Sequence, residues 1–340
     1  MAGLNSPASL LLGLRRARPA VLAAMFGAVL CRVLNAQESP VQQTPSLKVS
    51  VYRVNVGVTV TDSDGKFVSG LKREDFRIFD NDLEQPIVDF LPIEEPAHFL
   101  LLIESGPSVL LFKKNHVLTA DALLTSVAAD DRVAIATYTR MPELVLDFTA
   151  DKETALQAMR SIDFRLGYGE LDLSTSVAAA VEWLARLSGK KTMVLLSTGV
   201  DSAGPKNWET LRNRLQAADV RILAVSLAAD IRKPVKRRKL SVDEREARAK
   251  LKEGFREADN WLQQLSEATG GRVYFARNAK EFSKAYAEIA QLLRHEYSLA
   301  FAPRIFDGKA HALRVEVRAA GLRVGHRPAY VAASMPDEPK

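Results

Sequence analysis

Cysteine is nearly absent: Cys31 is the only one in 340 residues. A lone thiol excludes a disulfide framework and a thiolate metal site, so stability must come from a buried core. Histidine is scarce too. His98, His116, His295, His311 and His326 show no metal-ligand spacing, and neither a Gly-x-Ser-x-Gly elbow nor a phosphate-binding loop is present. The segment Gly106-Pro-Ser-Val-Leu lacks the spaced glycines that a pyrophosphate requires. No internal repeat is evident. The N-terminal apolar run, Ala20 to Cys31, is too short to span a bilayer comfortably. No motif for a hydrolase, a dehydrogenase or a metalloenzyme therefore stands in the chain.

The same N-terminus predicts export. Arg15, Arg16 and Arg18 precede the apolar run, and Leu34-Asn-Ala36 offers a small residue for cleavage before Gln37. This is the layout of a secretory signal peptide over residues 1–36; an uncleaved anchor and lipidation at Cys31 are the rivals. The expected location is periplasmic or extracellular, with no transmembrane helix in the mature chain. Net charge follows the same division. Of the formal +6, four units sit on Arg15, Arg16, Arg18 and Arg32, and no acid precedes Gln37, so the mature chain carries about +2. Arg232 to Arg256 holds eleven Lys/Arg against four Asp/Glu. The basicity is one local excursion.

Residues 37–46 read as a linker. From residue 47 to 95 the pattern is β: Val54, Val56, Val58 and Val60 nearly alternate, Asp62-Ser-Asp-Gly65 is a turn with a return strand at Lys66 to Val68, and Phe76 and Ile87 begin further strands. The segment is too small to bury a core alone. Over 96–295, strands and helices alternate. The central stretch is Phe99 to Ile103, apolar on both faces and ending in Glu-Ser-Gly-Pro-Ser, as in a central parallel strand covered by helices on each side. The fold class is α/β, a doubly wound and mostly parallel sheet, with flanking β segments from both ends of the chain. Helices are predicted at Ser241–Gly254 and separately at Ala258–Ala268, with Ser241 and Glu244 forming a capping box. Residues 296–333 return to β and are expected to pack on the N-terminal strands. Residues 334–340 read as a frayed, disordered tail.

The central stretch, the helix after it and Leu195-Leu-Ser-Thr-Gly199 resemble a von Willebrand factor A (vWA) domain. Val54-Asn-Val-Gly-Val-Thr-Val60, Asp64-Gly-Lys66, Gly70-Leu71, Asp75-Phe76 and Tyr297 resemble more closely the exported vWA-related family known mainly from acidobacteria. The resemblance covers roughly residues 47 to 331. It implies a Rossmann-like fold, protein binding or cell adhesion, and a metal-ion-dependent adhesion site at the carboxyl edge of the sheet. That site typically uses Asp-x-Ser-x-Ser, a Thr and a second Asp around a divalent cation with oxygen ligands. Here it is degenerate. In the register that keeps the Ser-Gly pair, the Asp position is Ile103, Ser105 is kept and the second Ser is Pro107; Leu171 replaces the Thr and Thr198 the second Asp. A one-residue shift keeps Glu104 and Ser108, loses the middle Ser to Gly106, and leaves Asp172 and Asp201 near the rim.

The resulting expectation is a non-enzymatic binding protein with no metal cofactor. It would contact another protein or an envelope component through Glu104, Ser105, Pro107, Ser108, Asp172, Thr198 and Asp201. Two alternatives stay open. One is a Mg²⁺- or Mn²⁺-dependent module using Glu104, Ser108, Asp172 and Asp201. The other is an envelope protein that binds anionic surfaces through the basic insertion at about 231–256, led by Arg232, Lys233, Lys236, Arg237, Arg238 and Lys239. Nucleic acid is not expected as a partner, because the insertion lacks the interleaved aromatics of single-strand binders.

Overall fold

A computed structural model describes residues 52–93, 96–106, 123–125, 127–162, 170–203, 207–228 and 241–334. The expected signal segment, Pro107, Ser108, most of the helix predicted after them and the basic run 232–239 lie outside the described residues.

The centre is a six-stranded sheet. Its strands are β5 (Ala97–Glu104), β6 (Arg132–Tyr138), β7 (Pro142–Thr149), β8 (Lys190–Ser197), β9 (Arg221–Ser226) and β10 (Arg272–Tyr274), in the order β10-β9-β8-β5-β6-β7. All pair in parallel except β7, which returns antiparallel to β6. The unbroken apolar run of β5 is explained by its neighbours on both faces. Alternate residues of a strand point to opposite sides. Phe99, Leu101 and Ile103 enter one core with Ala155 and Met159 of α1 (Lys152–Ser161) and Phe282, Tyr286 and Ile289 of α5 (Ala279–Arg294). Leu100 and Leu102 enter the other. They meet there Val177 and Val181 of α2 (Leu173–Ala185), Leu215 of α3 (Trp208–Ala217), and Leu262 and Leu265 of α4 (Val242–Glu267). This is the doubly wound α/β fold the sequence predicts.

Two antiparallel sheets flank it, each drawing on both ends of the chain. One has the order β13-β1-β11-β4, with β1 (Val54–Thr61), β4 (Ile87–Leu91), β11 (Glu296–Phe301) and β13 (Arg323–Gly325). The other has the order β14-β12-β2-β3, with β2 (Phe76–Asp80), β3 (Leu83–Gln85), β12 (Ala310–Val317) and β14 (Ala329–Val331). Their shared core contains the alternating Val54, Val56, Val58 and Val60 with Ile78, Tyr297, Phe301, Val315 and Tyr330. The return at Lys66 to Val68 is shorter than predicted: it is a single bridge, Thr61 with Phe67, because β1 spends its ladders on β11 and β13.

Two predicted helices are one. α4 runs 26 residues from the Ser241 cap through Gly254. A mid-helix glycine costs only about 1 kcal/mol, and long-range packing of Ala258, Leu262 and Leu265 holds the carboxyl half. The capping box is present: the Glu244 amide donates to Ser241 Oγ and the Ser241 amide to Glu244 Oε2. Ser334, expected in the frayed tail, bridges Asp307. Among the described residues, no helix is long and apolar enough to cross a membrane.

In the second flanking sheet His311 is buried between two carboxylates. Its Nδ1 lies 2.8 Å from Asp80 Oδ1 and its Nε2 3.2 Å from Asp307 Oδ1, and the Tyr330 hydroxyl donates to Asp80 at 2.9 Å. Burial pulls the imidazole pKa down, but the bonds and charges of Asp80 and Asp307 outweigh it, so the net shift is upward. A raised native value means that the native state holds the proton more tightly than the unfolded chain. The stability from His311 is therefore complete below the unfolded value near ~6.5 and is lost as pH rises through the native value. Urea midpoints between about pH 5.5 and 8.5 should fall with pH in the parent, and the fall should flatten in His311→Gln. An unchanged slope in the variant would place the titration elsewhere.

Candidate functional site

The carboxyl ends of the parallel strands form the edge where ligands bind in open α/β sheets. Strand β5 ends there in Glu104, one residue beyond the apolar run. Alternation gives Glu104 the same face as Leu100 and Leu102, and Ile103 the opposite one. The register that set Ile103 at the metal-binding Asp position is therefore corrected. Ile103 is packed in the core under α1 and α5, and Glu104 is the side chain that meets Thr198.

That meeting is direct. The Thr198 amide donates to Glu104 Oε2 at 2.7 Å, and the Thr198 hydroxyl lies 2.8 and 3.0 Å from the two carboxylate oxygens. The Ser197 hydroxyl donates to Oε2 at 3.1 Å. The Tyr138 hydroxyl, from the residue paired with Glu104 in the β5–β6 ladder, lies 2.7 Å from Ser197 Oγ and 3.4 Å from Glu104 Oε2. Glu104 is 0% exposed and Thr198 1%. Burial raises the Glu104 pKa, and the donors from Thr198, Ser197 and Tyr138 oppose the rise. The Tyr138 phenol is driven well above its ordinary value by burial and by the Glu104 charge.

The roof is apolar. Leu171 is buried, and a Cβ on Gly106 would sit 3.0 Å from its Cδ2. The Leu171 amide donates to Ser202 Oγ at 2.7 Å, and the Ser202 amide returns a bond to the Leu171 carbonyl at 2.8 Å. Gly199 takes φ +79°, and its missing Cβ leaves room for the Ala258 carbonyl of α4, which would otherwise lie 2.4 Å away.

The remaining predicted residues are partly exposed and carry structural bonds. Asp172 caps α2 by accepting the Thr175 amide at 2.9 Å. Asp201 Oδ2 accepts both the amide and the hydroxyl of Ser174; its Oδ1 is buried and, among the described residues, has no hydrogen-bond partner. The Ser105 amide and hydroxyl both donate to the Tyr138 carbonyl, at 2.9 and 3.0 Å. Glu104 and Thr198 are thus corrected from surface contacts to interior groups, because each satisfies the other. Tyr138 and Ser197 were not legible as site residues, since only strand register brings them beside Glu104.

These residues do not fit a divalent cation. Mg²⁺ needs about six oxygens near 2.1 Å. The Glu104 carboxylate is buried and already accepts from an N–H and several O–H donors, and an N–H cannot ligate a cation. Among the described residues, no group of three His, Cys, Asp or Glu could hold a metal ion.

Beside this closed centre lies an open groove of about 390 Å³ between α2 and α3, lined by Thr175, Ala178, Leu211, Arg214 and the β6–β7 turn residue Met141. Met141 is 51% exposed and Val200, next to Gly199, 36%.

No protein-family model matches the chain, and no curated protein matches it in sequence. Solved structures match it in fold, vWA domains among them. A von Willebrand factor type A protein from Catenulispora acidiphila is 10% identical, with 85% of this chain and 76% of that one covered, at a TM-score of 0.42. An aerotolerance-related membrane protein from Bacteroides fragilis is 12% identical over 58% of this chain and 99% of its own, also at 0.42. The conserved hypothetical protein BatB from Bacteroides thetaiotaomicron is 13% identical over 58% and 100%, at 0.39.

Proposed function

We propose that the chain is a non-enzymatic, vWA-type interaction module that binds another macromolecule at the carboxyl edge of its central sheet and uses no divalent cation. The observation that carries this reading is the direct Glu104–Thr198 hydrogen bonding, which engages the buried carboxylate with protein donors. The exposed part of that edge, Met141 on the wall of the α2–α3 groove and Val200 next to Gly199, is the contact surface in this reading. The non-enzymatic part is supported by the described histidines: His98 is the second residue of β5, His295 caps α5, His311 lies in β12 and His326 directly follows β13. Export and an envelope partner complete the proposal, on the charged and apolar layout of residues 1–36.

Two measurements test it. Mg²⁺ or Mn²⁺ at about 100 times any functional dissociation constant would add about 2.7 kcal/mol to a protein that binds it, a melting shift of several degrees. No shift is expected. A reproducible Mn²⁺-dependent rise lost in Asp201→Asn would replace this reading with the cation-dependent one. For the contact surface, a photocrosslinking residue at Met141 or Val200 should capture an envelope protein in the presence of EDTA, whereas the same residue at Val88 of β4 should not. Capture that needs a divalent cation, or that is equal at all three positions, would count against the proposal.

A further inference from the structure

The six-stranded sheet ends on one side in β10 and on the other in β7. An edge strand presents unpaired backbone N–H and C=O groups, and proteins keep such strands short or charged so that no further strand joins. Most edges here are short: β3, β10, β13 and β14 have three residues each and β4 has five. β7 is the exception. It runs for eight residues, and among the described residues no strand pairs with its outer side. The Phe148 amide donates at 2.7 Å to the carboxylate of Asp147 beside it, a side chain standing in for a neighbouring strand. Apolar exposure concentrates on the same strand. Of the ten large apolar side chains exposed among the described residues, Met141, Leu144 and Val145 stand within one five-residue stretch. Leu144 is 55% exposed and Val145 37%.

The charge of this edge has one sign. Glu143 and Asp147 are both exposed, and from Glu143 to Glu153 the sequence holds four carboxylates against one lysine. The bases that flank the strand are engaged elsewhere: Arg140 pairs with Glu170 at 3.4 Å, and Lys152 donates to the Val127 carbonyl at 2.7 Å. We propose that β7 takes an extended, basic segment of another protein as an additional strand of the central sheet. The ladder would satisfy the outer backbone groups, aliphatic side chains of the segment would cover Leu144 and Val145, and its Lys or Arg would face Glu143 and Asp147. A second copy of this chain is the poorer occupant. Two β7 strands would bring both Glu143 and both Asp147 carboxylates onto one ladder, and like charges across a ladder repel. The inference rests on the interaction-module reading above and names the class of partner; Met141 adjoins both surfaces.

A synthetic peptide of alternating Lys and Val, as long as β7, tests this against a Glu–Val peptide of the same length. The Lys–Val peptide should bind and slow amide exchange across Pro142–Thr149; the Glu–Val peptide should do neither. Methylating alternate backbone nitrogens of the Lys–Val peptide removes strand donors but keeps its charge, and should abolish binding. The double variant Glu143→Lys with Asp147→Lys changes only exposed side chains, which the fold tolerates. It should bind the Lys–Val peptide about tenfold more weakly and accept the Glu–Val peptide instead. Undiminished binding of the methylated peptide, or protection confined to other strands, would overturn the proposal in favour of plain charge attraction. A dimer of the protein alone with β7 protected would give the edge to a second copy and overturn it as well. Cation-independent capture at Met141 and Val200 without peptide protection of β7 would sink this inference only; loss of both would sink the module reading with it.

Discussion

Glu104→Ala should lower the stability of the fold by about 3–5 kcal/mol. Truncation leaves a cavity at the end of β5 and strips an acceptor from the Thr198 amide and from the Thr198 and Ser197 hydroxyls. For a chain of this size the melting temperature should fall by about 10 °C, and the urea midpoint should move without a change in m-value. Stability equal to the parent's would mean that Glu104 reaches water and that the centre is open. The pH response adds a second reading. Burial raises the carboxyl pKa in the native state, so the native state holds this proton more tightly than the unfolded chain does. The contribution of Glu104 is then greatest below the unfolded carboxylate value and declines as pH rises through the native one. Glu104→Gln should remove that decline while losing less stability than the alanine variant.

Thr198→Asp should be as damaging, for a different reason. It sets a second carboxylate against Glu104 where the parent has a hydroxyl donor 2.8 Å away. Two like charges that close, out of water, cannot both ionise cheaply. The expected loss is about 3–5 kcal/mol at neutral pH, with partial recovery toward pH 5 as the pair takes up a proton. Millimolar Mn²⁺ should also restore part of the loss, since two carboxylates provide what one lacks. If the variant matched the parent at every pH and ignored cations, Thr198 and Glu104 would not face one another. The equivalent change at Ile103 tests nothing about this centre, because that side chain lies in the other core.

Composition, periodicity and turn chemistry by themselves determined the architecture. The double-sided apolar run of β5 required helices on both faces, and the alternating valines of β1 required a partner sheet. The short β segments at both ends were each too small to stand alone. That Leu171 and Thr198 stand where the vWA resemblance leads one to expect a Thr and an Asp was also legible. Other features depended on contacts far apart in the chain. Whether Ile103 or Glu104 faced the centre turned on a single residue of strand phase, and a one-residue slip exchanges the two faces. Tyr138 and Ser197 became partners of Glu104 only through the order β8-β5-β6. Gly254 reads locally as the end of a helix, yet α4 continues through it because Leu262 and Leu265 are held by the sheet beneath. Arg327 lies in a segment read only as β, and its burial beside Asn55, Gln216 and Ala218 depends on chain ends that meet only when the flanking sheets form. Local sequence encodes backbone propensity and the sidedness of each element; which polar groups share an interior is decided by packing, and that is where the chemistry of this chain resides.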